Sequence, residues 1–401
     1  MMIFSTQSKR SQSIGKFQSI YGYDPEGVSF CPYRVCPLGA HIDHQHGKVT
    51  GFALDKGINI AYGFKQNGVV ELVSLQFPMR AQFHISGVPK VKQGDWADYL
   101  RGATWVLAKR YSLQVGLCAI IDGSLPIGGL SSSTAVTIAF LQALCAANGI
   151  NLSPPEMIQT ALAVENTYMG VSCGKLDPYC ELLAKKNHLL YLDTQEDSLE
   201  LIPRHESMKP FEIAIFFSGI ERSLVGSKYN MRVDECKSAA YSLLEHEGME
   251  YRKFNETVLR NVPQDVFDRH KNKLPEPWCK RATHFYAEME RVEAAVAAWR
   301  KGDIETLGRL CFESGRSGIV NYETGSEELT ALYEIMCKTD GIYGGRFSGA
   351  GFRGCCMALV DPSYKESIAK AVTISYTKKF PALAEKFSVH FCQSENGVGN
   401  L

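Results

Sequence analysis

Two short runs concentrate the residues able to do chemistry. LPIGGLSSSTAV (125–136) sets Gly128, Gly129, Leu130 and the serines Ser131, Ser132 and Ser133 directly before an apolar, helix-forming stretch. Paired glycines allow positive φ and close backbone approach, and the first amides and dipole of the following helix face whatever the turn encloses. That is an anion site. It lacks the lysine of GxxxxGK[ST] and the spacing of GxGxxG, so neither a Walker loop nor a dinucleotide fold is expected. A plain glycine turn with a serine cap is the alternative, and the unbroken order of small residues favours the anion.

The second run, CPYRVCPLGAHIDHQHG (31–47), holds Arg34, Asp43, three histidines and two cysteines. Structural zinc would need paired Cys/His spacings, and no second CxxC follows, so zinc is not expected. Phosphoryl transfer from a nucleotide needs a metal on the phosphates, a carboxylate near the accepting hydroxyl and a cation against developing charge. Each has a candidate. Glu165, in TALAVENTYMG, can join Ser133 as an oxygen ligand for Mg2+, or be a solvent-facing helix residue. Asp177, in CGKLDPYC, can accept or orient a hydroxyl proton, or merely cap a helix. Arg34 would keep Asp177 ionised and help neutralise the moving phosphoryl group.

The elements that must position these groups read as α+β. Strand-like runs GVSFCPYRVC, INIAYGF, VVELVSL and AQFHIS precede a helix at DWADYLRGATWVLAKRY, with Asp95 as its expected cap. A strand (GLCAIIDGSLP), the serine turn and a nearly all-apolar helix follow, and NLSPPEM reads as a capped helix start running to about Gly170. Beyond the strand FEIAIFFSG the chain is rich in long helices. A division into 1–205 and 206–401 is expected near Pro203 and Pro210.

The 401 residues suffice for two cores, and 43 lysines plus arginines balance 43 aspartates plus glutamates. With no net field, neither nucleic acid nor a membrane surface is an expected partner. Thirteen cysteines, scattered through apolar runs, suit buried thiols in the cytoplasm, and no signal peptide or spanning segment is read. A monomer or weak homodimer is expected.

Three motifs in order resemble the GHMP small-molecule kinases, and among them the galactokinase group: YRVCPLGAHIDHQHG, PIGGLSSSTA and GGRFSGAGFRGCC (344–356). WADYLRG, VENTYMGVSCGKLD and SKYNMRVDEC add smaller matches, so the likeness spans most of the chain. The resemblance implies a two-domain fold with a left-handed crossover and the active site in the interdomain cleft. It implies ATP and Mg2+, with Arg34 and Asp177 catalytic and Ser133 and Glu165 on the metal. His41, Asp43, Gly174 and Tyr229 match sugar-contacting positions, and Trp96 an aromatic beside adenine. Gly349, Gly351 and Gly354 match a loop closing over the substrates.

Departures sharpen the expectation. Galactokinases usually read GEHxDY where this chain has Gly39, Ala40, His41, Ile42, Asp43 and His44. The missing glutamate is one that contacts the sugar 6-hydroxyl and would repel a carboxylate there; Ala40 opens space, and His44 adds a donor able to carry charge. The pattern is also similar to plant-type galacturonokinases, which implies phosphorylation of D-galacturonic acid at its anomeric hydroxyl. Galactose is the alternative substrate, and a non-catalytic sugar sensor the alternative class. Pro178 and Glu221, the latter followed by Arg222, depart from the family at places that can rearrange contacts.

Overall fold

A computed structural model describes residues 6–220 and 226–398; Glu221 and Arg222 lie outside the described residues. Two sheets organise the chain. The larger runs β4 (Ala81–His84), β3 (Val69–Ser74), β5 (Gly116–Gly123), β2 (Lys48–Lys65), β6 (His188–Asp193), β7 (Ser198–Pro203), with β1 (Gly27–Val35) and β12 (Ser394–Glu395) also on β2. The smaller runs β11 (Ser388–Cys392), β8 (Glu212–Phe217), β10 (Cys355–Val360), β9 (Ile342–Phe347).

Eleven helices cover them among the described residues: α1 (Thr6–Tyr21), α2 (Asp98–Ala108), α3 (Ser132–Ala147), α4 (Pro154–Ala163), α5 (Leu176–Leu183), α6 (Gly226–Glu247), α7 (Gln264–His270), α8 (Glu276–Arg300), α9 (Ile304–Ser317), α10 (Glu327–Met336) and α11 (Lys365–Lys379). None is long and apolar enough to cross a membrane.

Several elements differ from their sequence reading. INIAYGF is only the end of the 18-residue β2, whose earlier part contains Asp55, Lys56 and Gly57 and so looks like a turn. There the β1–β2 ladder slips: Pro32 pairs with Gly57 but Arg34 with Ala53, so two steps on β1 meet four on β2. Such an irregularity re-aims side chains, and Arg34 follows it directly. Asp95 does not cap α2, whose N-cap is Ala97; its carboxylate instead accepts from the Ala97 amide and Arg101. The α1 segment lacks an apolar stripe and is held through buried Phe17, packed on Ala61, Cys118 and Ile120. Ser153 and Glu156 do form the capping box of α4.

The expected 205/206 division falls between β7 and β8, but the main core crosses it. Trp299 of α8, fully buried, packs on Phe52 and Phe211 and donates its indole N–H to the Ile202 carbonyl. All thirteen cysteines are free thiols, most of them buried, with Cys355 and Cys356 inside β10.

Candidate active site

The serine turn is built by backbone strain that its sequence permits. Gly128 and Gly129 take φ of 133° and 86°, Ser131 is left-handed at 58°, and α3 begins at Ser132. The glycine-rich loop after β9 lies against it: a Cβ on Gly354 would come within 2.6 Å of the Gly128 carbonyl carbon, and one on Gly128 within 3.0 Å of the Gly354 Cα. Only glycine lets these two backbones touch. Gly128, Gly129, Ser131, Ser132, Ser133 and Gly349 line one cavity, while Gly351, near Thr324 and Phe347, and Gly354 are not on its wall. Leu130 turns into the core, 1% exposed, and its carbonyl accepts from the Arg34 amide.

At the floor of that cavity Arg34 and Asp177, 143 residues apart, form a two-pronged ion pair. Nε donates to Oδ1 at 2.6 Å and Nη2 to Oδ2 at 2.9 Å. Nη1 reaches the Gly129 carbonyl at 3.3 Å, and the Ser131 hydroxyl donates to Asp177 Oδ2 at 2.7 Å. Burial opposes the guanidinium's charge, but Asp177 more than offsets it and holds Arg34 above the usual arginine range. Asp177 sits in the first turn of α5 without capping it. One turn on, fully buried Glu181 is pushed well above the carboxylate range by burial and then by Asp177.

Glu165 faces inward, 4% exposed, on a π-helical turn after α4, and accepts from Thr134 Oγ1 at 3.4 Å. It lines the cavity together with Ser133. Among the described residues no three His, Cys, Asp or Glu side chains converge as a metal cage. Two protein oxygens beside the serine turn nevertheless fit Mg2+, which keeps several waters and takes substrate oxygens.

Ala40, His41, Asp43, Gly174 and Tyr229 line the same cavity. His41, left-handed at φ 63°, stacks on Tyr322 at 4.5 Å and 9°, with its buried Nε2 lacking a hydrogen-bond partner. Burial, with Arg346 next, holds it well below the ordinary histidine range. Asp43 accepts from the amides of His44 (3.0 Å) and Leu176 (3.3 Å), and burial plus nearby Asp177 push it up to about 6. A Cβ on Gly174 would collide with the Asp43 carboxylate, so glycine is required there.

Two expected site residues stand off this wall. His44 is not on the cavity wall: it bonds Tyr322 Oη through Nε2 (2.9 Å) and Gln45 through Nδ1 (2.9 Å), edge-on to Tyr229. Burial, with Lys237 adding, takes it down to about 3, so it brings no positive charge. Trp96 also lies off this wall, stacked parallel to Phe77 with its indole N–H on the Met79 carbonyl.

Other residues went unread. His284 is fully buried with Nε2 3.0 Å from the Ala40 carbonyl and Nδ1 2.9 Å from Ser317 Oγ. A carbonyl only accepts, so Nε2 carries the proton and Ser317 donates to Nδ1. Burial takes this ring down to about 4, keeping it neutral. Glu288, on the same helix, accepts from the Gly39 amide at 2.8 Å and from Ser314, fixing the turn that presents Ala40. Arg353, inside a motif already singled out, also lines the cavity.

Comparison with known proteins places this geometry. Residues 98–185 match the GHMP kinases N terminal domain, 293–378 the GHMP kinases C terminal domain, and 15–64 the galactokinase galactose-binding signature. The chain is 39% identical to a galacturonokinase of Arabidopsis thaliana, over 90% of this chain and 89% of that protein. It is 32% identical to a galactokinase of Thermococcus kodakarensis, over 90% and 97%. The fold is similar to that of Lactococcus lactis galactokinase complexed with galactose, with a TM-score of 0.85 at 27% identity, covering 96% of this chain and 97% of that one.

Proposed function

The chain belongs to the GHMP kinases, in their galactokinase group, and on that premise we propose that it transfers the γ-phosphoryl group of ATP to the anomeric hydroxyl of D-galacturonic acid. The observation that carries the substrate reading is Ala40 on the wall of a cavity that the Arg34–Asp177 pair also lines. A glutamate there would meet the sugar carboxylate at close range, and two like charges 4 Å apart cost about 4 kcal/mol at an effective dielectric near 20. The 39% identity to a protein named galacturonokinase supports the same assignment.

In this reading the amides of the serine turn hold the triphosphate, and Ser133 and Glu165 would hold Mg2+, which would supply charge neutralisation on its oxygens. Asp177 already accepts three hydrogen bonds, which leaves one of a carboxylate's roughly four acceptor sites for the sugar hydroxyl. Its role is therefore to aim that hydroxyl at phosphorus and to take its proton late, as bond formation acidifies it. Arg34 stabilises the charge moving onto the transferring group. Asp43 and His41 orient the sugar, and Gly349 belongs to the loop that closes over both substrates. The buried thiols fit a reducing compartment, the cytoplasm.

Galactose is the second reading, supported by the match to the galactose-binding signature over residues 15–64. A coupled assay over hexoses and uronic acids separates the two. Galacturonate should be preferred in kcat/KM by at least about tenfold, a difference of about 1.4 kcal/mol. Equal or better use of galactose overturns the uronate assignment.

A further inference from the structure

We propose that Arg353 is a second phosphate-binding cation, delivered onto the nucleotide's outer phosphates by the glycine-rich loop; the inference rests on the ATP-dependent reading above. Its side chain is exposed, lines the cavity and makes no hydrogen bond or ion pair to any other described residue. Arg34, the other guanidinium on that wall, is already committed to Asp177. The lining thus carries three carboxylates, Asp43, Glu165 and Asp177, against two arginines. A polyphosphate entering so acidic a space needs an uncommitted cation, and a guanidinium suits phosphate because its planar fork donates two bonds at once.

The loop's geometry selects the phosphates over the sugar. Gly354, next in sequence, rests on Gly128, and a Cβ on Gly349 would come within 2.8 Å of the Gly129 Cα. Arg353 therefore stands beside the serine turn, while the residues facing the sugar come from segments 40–43, 174 and 229. Its base is rigid: the Gly354 carbonyl accepts from both the amide and the hydroxyl of Ser218, at 2.8 and 2.7 Å, and the Ser348 amide closes the loop on the Cys355 carbonyl. A fixed backbone beneath a free side chain is what a phosphate clamp requires, because only the arginine's own rotamers remain to be ordered on binding.

The test is titration calorimetry on the full chain and its Arg353→Gln and Arg353→Lys variants. The probes are the β,γ-imido analogue of ATP with Mg2+, AMP, and galacturonate, with a melting curve for each variant. Loss of a charge-assisted contact should weaken the triphosphate analogue about tenfold or more in Arg353→Gln, less in Arg353→Lys. AMP and galacturonate should bind as before. Unchanged analogue affinity, or equal loss for AMP, overturns the proposal. Selective loss of galacturonate also overturns it, by putting the guanidinium on the sugar acid. The wild-type substrate panel stands apart: a preference for galactose would sink the uronate reading and leave these affinities to be judged alone.

Discussion

The residues proposed to meet phosphate and those proposed to meet sugar, the phosphate end and the sugar end of that reading, are built on opposite electrostatic plans. At the phosphate end, charges are kept and paired: Arg34 grips Asp177 through two bonds, and Ser131 adds a third donor. At the sugar end, burial suppresses charge on the imidazoles: His41, His44 and His284 surround Tyr322 and all sit far below their ordinary range. Reaction needs preorganised charge where charge moves, whereas recognition of a polyhydroxylated ring needs fixed neutral donors and acceptors. The residue dividing the plans is Ala40, which carries no polar side chain yet rests its carbonyl on His284.

The sharpest way to break this contrast is Asp177→Asn. It preserves shape but removes the charge at the reacting hydroxyl and the partner of Arg34, so kcat should fall by roughly 10^4 with little change in sugar affinity. A loss confined to KM would mean the pair only binds. Next comes Ala40→Glu, which puts a charge into the neutral end. Galacturonate kcat/KM should drop by about 10^3 while galactose turnover is largely spared. Parallel loss on both sugars would deny Ala40 any part in selectivity.

The smallest effect is read in stability, at Asp43, a carboxylate on the cavity wall. Its folded pKa lies above its unfolded one, so burial subtracts nothing below pH 4 and subtracts increasingly as pH rises to about 6. Asp43→Asn should therefore be more stable than wild type at pH 7, by about 3 kcal/mol, and lose that advantage below pH 4. A pH-independent difference in denaturant midpoint would show that the carboxylate is not strained by its surroundings.

How much of this was legible follows the same contrast. The serine turn is contiguous, and its glycines and helix start announce an anion site from residues 128–133 alone. Arg34 and Asp177 could be named as partners, but only coordinates bring together groups 143 residues apart. The sugar end was half hidden. His284 and Glu288 reach it from α8, one of the long helices of the second half, and Tyr322 from a π-helical turn after α9. His44 stands a layer behind the cavity wall, a depth that a motif does not encode. Likewise β2 was cut short because Asp55, Lys56 and Gly57 mimic a hairpin, when they mark the slip that aims Arg34.

The return of β12 to the first sheet bears on how the enzyme is made. Ser394 and Glu395 pair with Leu54 and Ala53, and Gln393 and Asp55, 338 residues apart, exchange hydrogen bonds. On the ribosome, the strand carrying this seam emerges long before its partner exists. The seam beside Arg34 must therefore wait for almost the entire polypeptide to be translated, and a chain clipped ahead of Gln393 would carry an open edge next to that arginine.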